Sequence, residues 1–176
     1  IRFGLEWDVW LKNMYRVNEE ANVKSVNVMM TINSLCLFSI TEFMDEMMKL
    51  KKKFGSQAAV MSFNILRFPS FQSIVTLPKE IRWERAQVMQ DWLNKNWNGG
   101  KNGFVDMERD GLLRLIEYTR SVDTGHEFTS SLESRLRDFR SFYTQYDKRR
   151  GKDFHAAFPM LSNWYNEIPE TNLAPL

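Results

Sequence analysis

The residues with most chemical potential sit where two alternating apolar runs stop. Thr31-Ile32-Asn33-Ser34 ends the first run, and Asn64-Ile65-Leu66-Arg67-Phe68-Pro69-Ser70-Phe71-Gln72-Ser73 ends the second. If both runs are parallel strands, their polar side chains and free backbone groups meet at the carboxyl edge of a sheet. Ligands bind at that edge in open sheets and in (β/α) barrels. Ordinary strand-to-loop polarity gives the same pattern, so the residues alone leave both readings open. Other candidates are weaker. His126 and His155 stand far apart, with no His or Cys at ligand spacing, and no metal site is read from them. Cys36, between Leu35 and Leu37, reads as a small buried hydrophobe rather than a nucleophile. Glu42, Asp45 and Glu46 read as solvated charge in the first turns of a helix. Tyr146-Asp147-Lys148-Arg149-Arg150-Gly151-Lys152 mixes cations with an aromatic, a pattern able to meet phosphate or nucleic acid. A cation-rich helix terminus is the preferred reading of it.

The elements that must position these residues follow from periodicity. Trp7, Trp10, Leu11, Met14 and Val17 form a helical stripe over Trp7–Glu20. Val26, Val28, Met30 and Ile32 alternate along a strand from Val26 to Asn33, with the other face apolar enough to be covered too. Ser39 and Glu42 are spaced as a capping box, with Phe38 and Phe43 as a hydrophobic staple, opening a helix to Phe54. Lys49, Lys51, Lys52 and Lys53 suit its negative end, and Gly55 stops it. A second strand runs from Ala59 to Phe68 and stops at Pro69. One helix lies between the strands, so a crossover joins them in parallel. Past Pro78 the chain turns helical, to about Trp97, then from a cap at Asp106 to Arg120. A box at Ser130 and Glu133 opens a further helix to Arg150, and a short helix spans Pro159 to Ile168.

Composition sets the bounds. The chain has 176 residues, 24 Lys+Arg against 22 Asp+Glu, 43% hydrophobic residues and 14% aromatics. That is enough apolar material for a packed core and too little net charge to argue for nucleic acid. One Cys excludes a disulfide framework and any iron–sulfur or zinc site built from four cysteines of this chain. No apolar run is long enough to cross a bilayer, and a cytoplasmic setting is expected. The first residue is Ile1 rather than Met, which points to a piece of a longer protein.

Ile1-Arg2-Phe3-Gly4, Met30-Thr31-Ile32-Asn33-Ser34 and Asn64-Ile65-Leu66-Arg67-Phe68-Pro69 occur here in that order. They precede a tail with Phe142-Tyr143-Thr144-Gln145-Tyr146-Asp147-Lys148-Arg149-Arg150-Gly151-Lys152, Phe158-Pro159 and Trp164-Tyr165. In this the chain resembles the later half of radical S-adenosylmethionine enzymes with a SPASM- or twitch-type C-terminal region, a group that includes phage and marine metagenomic proteins. The resemblance implies an α/β fold: the last strand–helix units of a partial (β/α) barrel within residues 1–77, then a mainly helical C-terminal region over 78–176. It implies S-adenosylmethionine and a four-iron four-sulfur cluster as cofactors of the full-length protein. The family's Cys-x-x-x-Cys-x-x-Cys loop is not in this sequence, so the fragment alone would be inactive.

By position, the resemblance places Arg2 near the cofactor's methionyl carboxylate. It places Asn33 and Ser34 near the ribose or carboxylate, and Leu66 and Arg67 where backbone groups meet the adenine. The expected partners are an electron donor and an unidentified substrate, a peptide or a small molecule. No membrane is expected, and nucleic acid is not favoured. The competing class is a non-enzymatic module that binds protein or nucleic acid through its aromatic helices and its basic cluster.

Overall fold

The computed structural model describes residues 5–122 and 128–170. The chain is α/β and mostly helical, with a small parallel sheet of two strands. In order it forms α1 (Trp7–Glu20), β1 (Asn27–Ile32), α2 (Ile40–Phe54) and β2 (Val60–Ile65). Then follow α3 (Lys79–Asn96), α4 (Asp106–Arg120), α5 (Leu132–Arg150) and two short helices, α6 (Phe154–Ala157) and α7 (Ser162–Glu167). Short 3-10 turns at Ser34–Phe38, Ser70–Gln72, Ile74–Thr76 and Pro159–Leu161 link them.

The two strands pair in parallel, from Asn27 opposite Val60 to Ile32 opposite Ile65. Val28, Met61, Phe63 and Ile32 turn into the core with the α2 stripe of Ile40, Met44, Met47 and Leu50. Met44 and Met47 are thus core side chains, while Met48 is half-buried. The opposite face of β1 is open: Met29 is 81% exposed. That corrects the expectation of a strand covered on both faces. One apolar cluster runs from Val28 to Ile168, joining side chains from before and after Pro78.

α4 lies against β2 at close range. A Cβ on Gly111 would stand 3.0 Å from Phe63 Cδ2, so this contact needs the bare backbone. α5 is anchored by Arg135, Phe139 and Tyr143, which recur every four residues and are buried. It ends at Gly151, whose φ of 58° is the left-handed cap glycine accommodates.

Several caps differ from the sequence reading. Ser39 makes no side-chain cap, because the chain enters α2 straight from the 3-10 turn, with Ser39 at φ −137°, ψ 10°. Glu42 instead accepts from the Thr41 hydroxyl at 3.1 Å. The rings of Phe38 and Phe43 face other partners, Phe158 for the first and Trp7 and Trp10 for the second. The cap of α5 is Ser131, accepting from Ser134 N, while Ser130 bonds Ser70 across the fold. At α4 the cap residue is Val105 rather than Asp106. The Glu108 carboxylate reaches back to Val105 N at 2.8 Å, half of a capping box.

Candidate functional site

Parallel pairing carries both strands to one carboxyl edge, and Leu66 N donates to Ile32 O there at 2.9 Å. Asn33 and Ser34 therefore stand beside Leu66 and Arg67, four of the five residues that the sequence picks out. The fifth, Arg2, lies outside the described residues. Each has a definite local role. Asn33 Oδ1 accepts from Leu35 N and Cys36 N, both at 3.0 Å, and so starts the 3-10 turn. Ser34 is fully buried, and its Oγ has no hydrogen-bond partner among the described residues. Leu66 has its N–H engaged in the ladder. Arg67 is exposed, with its guanidinium 5.5 Å from the centre of the Tyr118 ring.

The loop after β2 is fastened to two helices. The Tyr118 hydroxyl and Ser73 Oγ are 3.0 Å apart, and Ser70 Oγ lies 3.2 Å from Ser130 Oγ. Phe68 stacks edge-on against Phe128 at 5.9 Å, and Phe71 meets Phe142 at 5.3 Å. Cys36 is half-buried and points its thiol at Thr31 O, 3.9 Å away. Beneath it the Tyr143 hydroxyl is held well above the ordinary tyrosine range, chiefly by burial. The edge thus carries a polar turn on one side and a cation on the other.

The opposite end of the sheet carries a larger cleft of about 1050 Å³ between the end of α2 and the loop at Gly100–Gly103. Several of its charges are answered by neighbouring side chains. Lys49 pairs with Glu46 at 2.5 Å, and Asp45 accepts from the Trp92 indole at 2.7 Å. Beneath the cleft lies an ion pair with no exposure at all: Lys51 Nζ and Glu108 Oε1 are 3.0 Å apart. Lys51 also donates to Ser56 O at 2.7 Å and Gly103 O at 3.1 Å. Glu108 also accepts from Met61 N at 2.8 Å. An ammonium has three donors, and all three are placed, so the pair is a strut with no capacity left for a ligand. The sequence reading places Lys51 only among the cations that suit the negative end of α2. The signal it missed was Glu108 at the third position of α4, a place where a carboxylate turns inward to cap.

Among the described residues no group of three or more His, Cys, Asp or Glu is placed to hold a metal ion. His155 packs edge-on against Phe154 and Tyr165, and His126 lies outside the described residues. No described helix is long and apolar enough to cross a membrane. Compared with known families, curated proteins and solved structures, the chain matches none.

Proposed function

We propose that this chain is the closing part of a radical S-adenosylmethionine enzyme. It supplies the last two strand–helix units of a partial (β/α) barrel and a helical C-terminal region, and it is inactive alone. One observation carries the reading: the two-stranded sheet is finished on one side only. The main-chain groups of Asn27, Met29 and Thr31 point away from β2, because Val26 O and Ile32 O are the ones that face it. No strand pairs with that outer edge among the described residues. On the outer edge of β2, Glu108 accepts the Met61 N–H and α4 packs alongside. A barrel needs its earlier strands on the β1 side, which is the side left open.

Cluster and cofactor fit this chain differently. A four-iron cluster takes about three or four thiolates, and Cys36 is the one cysteine present, so the cluster ligands would come from upstream. The carboxyl edge does fit the polar parts of S-adenosylmethionine. Arg67 holds its guanidinium against the Tyr118 ring at that edge, and Asn33, its carbonyl fixed by the turn, keeps amide hydrogens to donate. When bound, cluster and cofactor supply reductive sulfonium cleavage and hydrogen abstraction from the substrate. The residues of this chain would orient the cofactor and shape the substrate pocket.

The parent reading frame tests the proposal first: three closely spaced cysteines are expected upstream, and a frame without them sinks the reading. In the anaerobically reconstituted parent, Arg2→Ala should weaken S-adenosylmethionine binding by roughly ten- to a hundredfold, as loss of a charge-assisted contact does. Asn33→Asp keeps the turn-capping oxygen and removes the amide donor, so it should weaken binding without unfolding. Calorimetry with unchanged iron content reads both, and unaltered affinity in both variants returns these residues to plain loop polarity.

A further inference from the structure

α5 carries a second stripe beside its buried one. Phe142, Gln145, Tyr146, Arg149 and Arg150 recur at three- and four-residue spacing and line an open groove of about 350 Å³. Phe142 is 39% exposed and packs on Phe71, which holds the ring from behind. The Phe142 and Tyr146 rings lie 24° from parallel with centroids 6.2 Å apart. Lys148, Arg149, Arg150 and Lys152 are exposed around them. The two acids that flank these cations each give one oxygen to the backbone. Asp147 Oδ2 accepts from Phe154 N at 2.8 Å. Asp153 Oδ1 accepts from His155 N at 2.8 Å and Ala156 N at 3.2 Å. The helix dipole accounts for cations at this terminus. It does not account for two near-parallel rings, Phe142 exposed and Tyr146 half-buried, on the stripe that leads to them.

We propose that this groove binds a nucleotide, with Phe142 and Tyr146 taking the base and Arg149 its phosphate. An aromatic face accepts any base by stacking, and a guanidinium matches phosphate with paired N–H donors. One helical turn, about 5.4 Å, separates Tyr146 from Arg149 and Arg150, comparable to the reach from a base to its own 5′-phosphate. The groove volume lies at the small end of ligand sites and suits a single nucleotide. The inference does not rest on the radical-enzyme reading: S-adenosylmethionine has no phosphate, and the groove is lined by α5 residues, none of them among Arg2, Asn33, Ser34, Leu66 and Arg67.

The test titrates the 176-residue chain with adenosine 5′-monophosphate, adenosine and inorganic phosphate separately, followed by calorimetry. The nucleotide should bind with a dissociation constant near or below about 1 mM and more tightly than either part. Tyr146→Ala and Arg149→Gln should each weaken it about tenfold, Tyr146→Phe should retain it, and Lys101→Gln, on a distant loop, should leave it unchanged. A short oligodeoxythymidylate tells a free nucleotide from a strand end: Tyr146-dependent binding tighter than the mononucleotide assigns a strand. Circular dichroism confirms that the variants stay folded. Nucleotide no tighter than phosphate, or full affinity in Tyr146→Ala and Arg149→Gln, overturns the proposal. So does binding to anionic lipid vesicles with none to the nucleotide.

Discussion

The two outer edges of the sheet solve one problem in opposite ways. On β2, the outward N–H of Met61 meets the buried carboxylate of Glu108, whose charge Lys51 balances. Gly111 then lets α4 close over Phe63. On β1, the outward groups of Asn27, Met29 and Thr31 have no strand beside them, and Met29 stands in solvent. An edge strand normally carries charge, a bulge or a cover. β1 has no charged side chain, and among the described residues only the Cys36 thiol, 3.9 Å from Thr31 O, meets its outward groups, whereas the other edge is met by Glu108, 47 residues downstream of Met61. The contrast teaches that the bare edge is a feature of this sequence rather than a want of material.

Breaking the closed edge should have the largest effect. Glu108→Ala leaves Lys51 charged and buried, and removes the acceptor for Met61 and Val105. It should cost about 3–5 kcal/mol in urea unfolding. A loss under about 1 kcal/mol would mean that water or a neighbouring group replaces the carboxylate. Gly111→Ala comes next. The new methyl must push Phe63 aside, costing about 1–3 kcal/mol, against which the helical gain of about 1 kcal/mol is smaller or equal. A raised melting temperature would show that the β2–α4 contact is loose. At the strand ends, Asn33→Ala removes two turn bonds and should cost about 1 kcal/mol, whereas Asn33→Asp should cost close to nothing. Equal losses in the pair would deny the turn-capping role. The smallest stability change belongs to the open edge: Met29→Lys should move the melt by less than about 0.5 kcal/mol. The same substitution should reduce self-association in sedimentation velocity, since a lysine on a bare edge opposes strand addition. A chain that is monomeric and melts sharply with Met29 in place would show that the edge needs no partner.

What the sequence reveals and conceals follows the range of each interaction. The strand–helix–strand unit is legible because periods of two and of about 3.6 are local and Gly55 ends α2, although the second strand runs Val60–Ile65 and stops short of the Phe68 end that Pro69 suggests. Helix starts are shifted by a residue at α4 and α5, since Ser130 and Ser131, or Val105 and Asp106, differ only in which one the tertiary fold leaves to cap. Lys51 is illegible as a buried residue: a lysine near a helix end looks like a dipole partner until Glu108 arrives from another helix. At the site, position was readable and occupation was not. Asn33, Ser34, Leu66 and Arg67 meet at one edge as their strand ends imply. That Asn33 holds a turn and that Tyr118 backs Arg67 depends on contacts far along the chain.

α1 buries none of its residues. Trp7 and Trp10 lean on Phe43, Tyr15 meets Phe54 edge-on, and Asn18 donates to Ala58 O at 3.1 Å. Lys53 pairs with Glu19 at 2.5 Å and lies over the Tyr15 ring. Half-exposed rings, one amide bond and one exposed ion pair hold much less free energy than the sealed α2–β2–α4 layer. The helix is therefore the first unit to open by itself under native conditions, its amides exchanging with deuterium while Met61 and Leu112 remain protected. Limited proteolysis should clip the chain between Ala21 and Val26 and leave a resistant body, so that residues ahead of β1 behave as a tether and the sheet as the anchor.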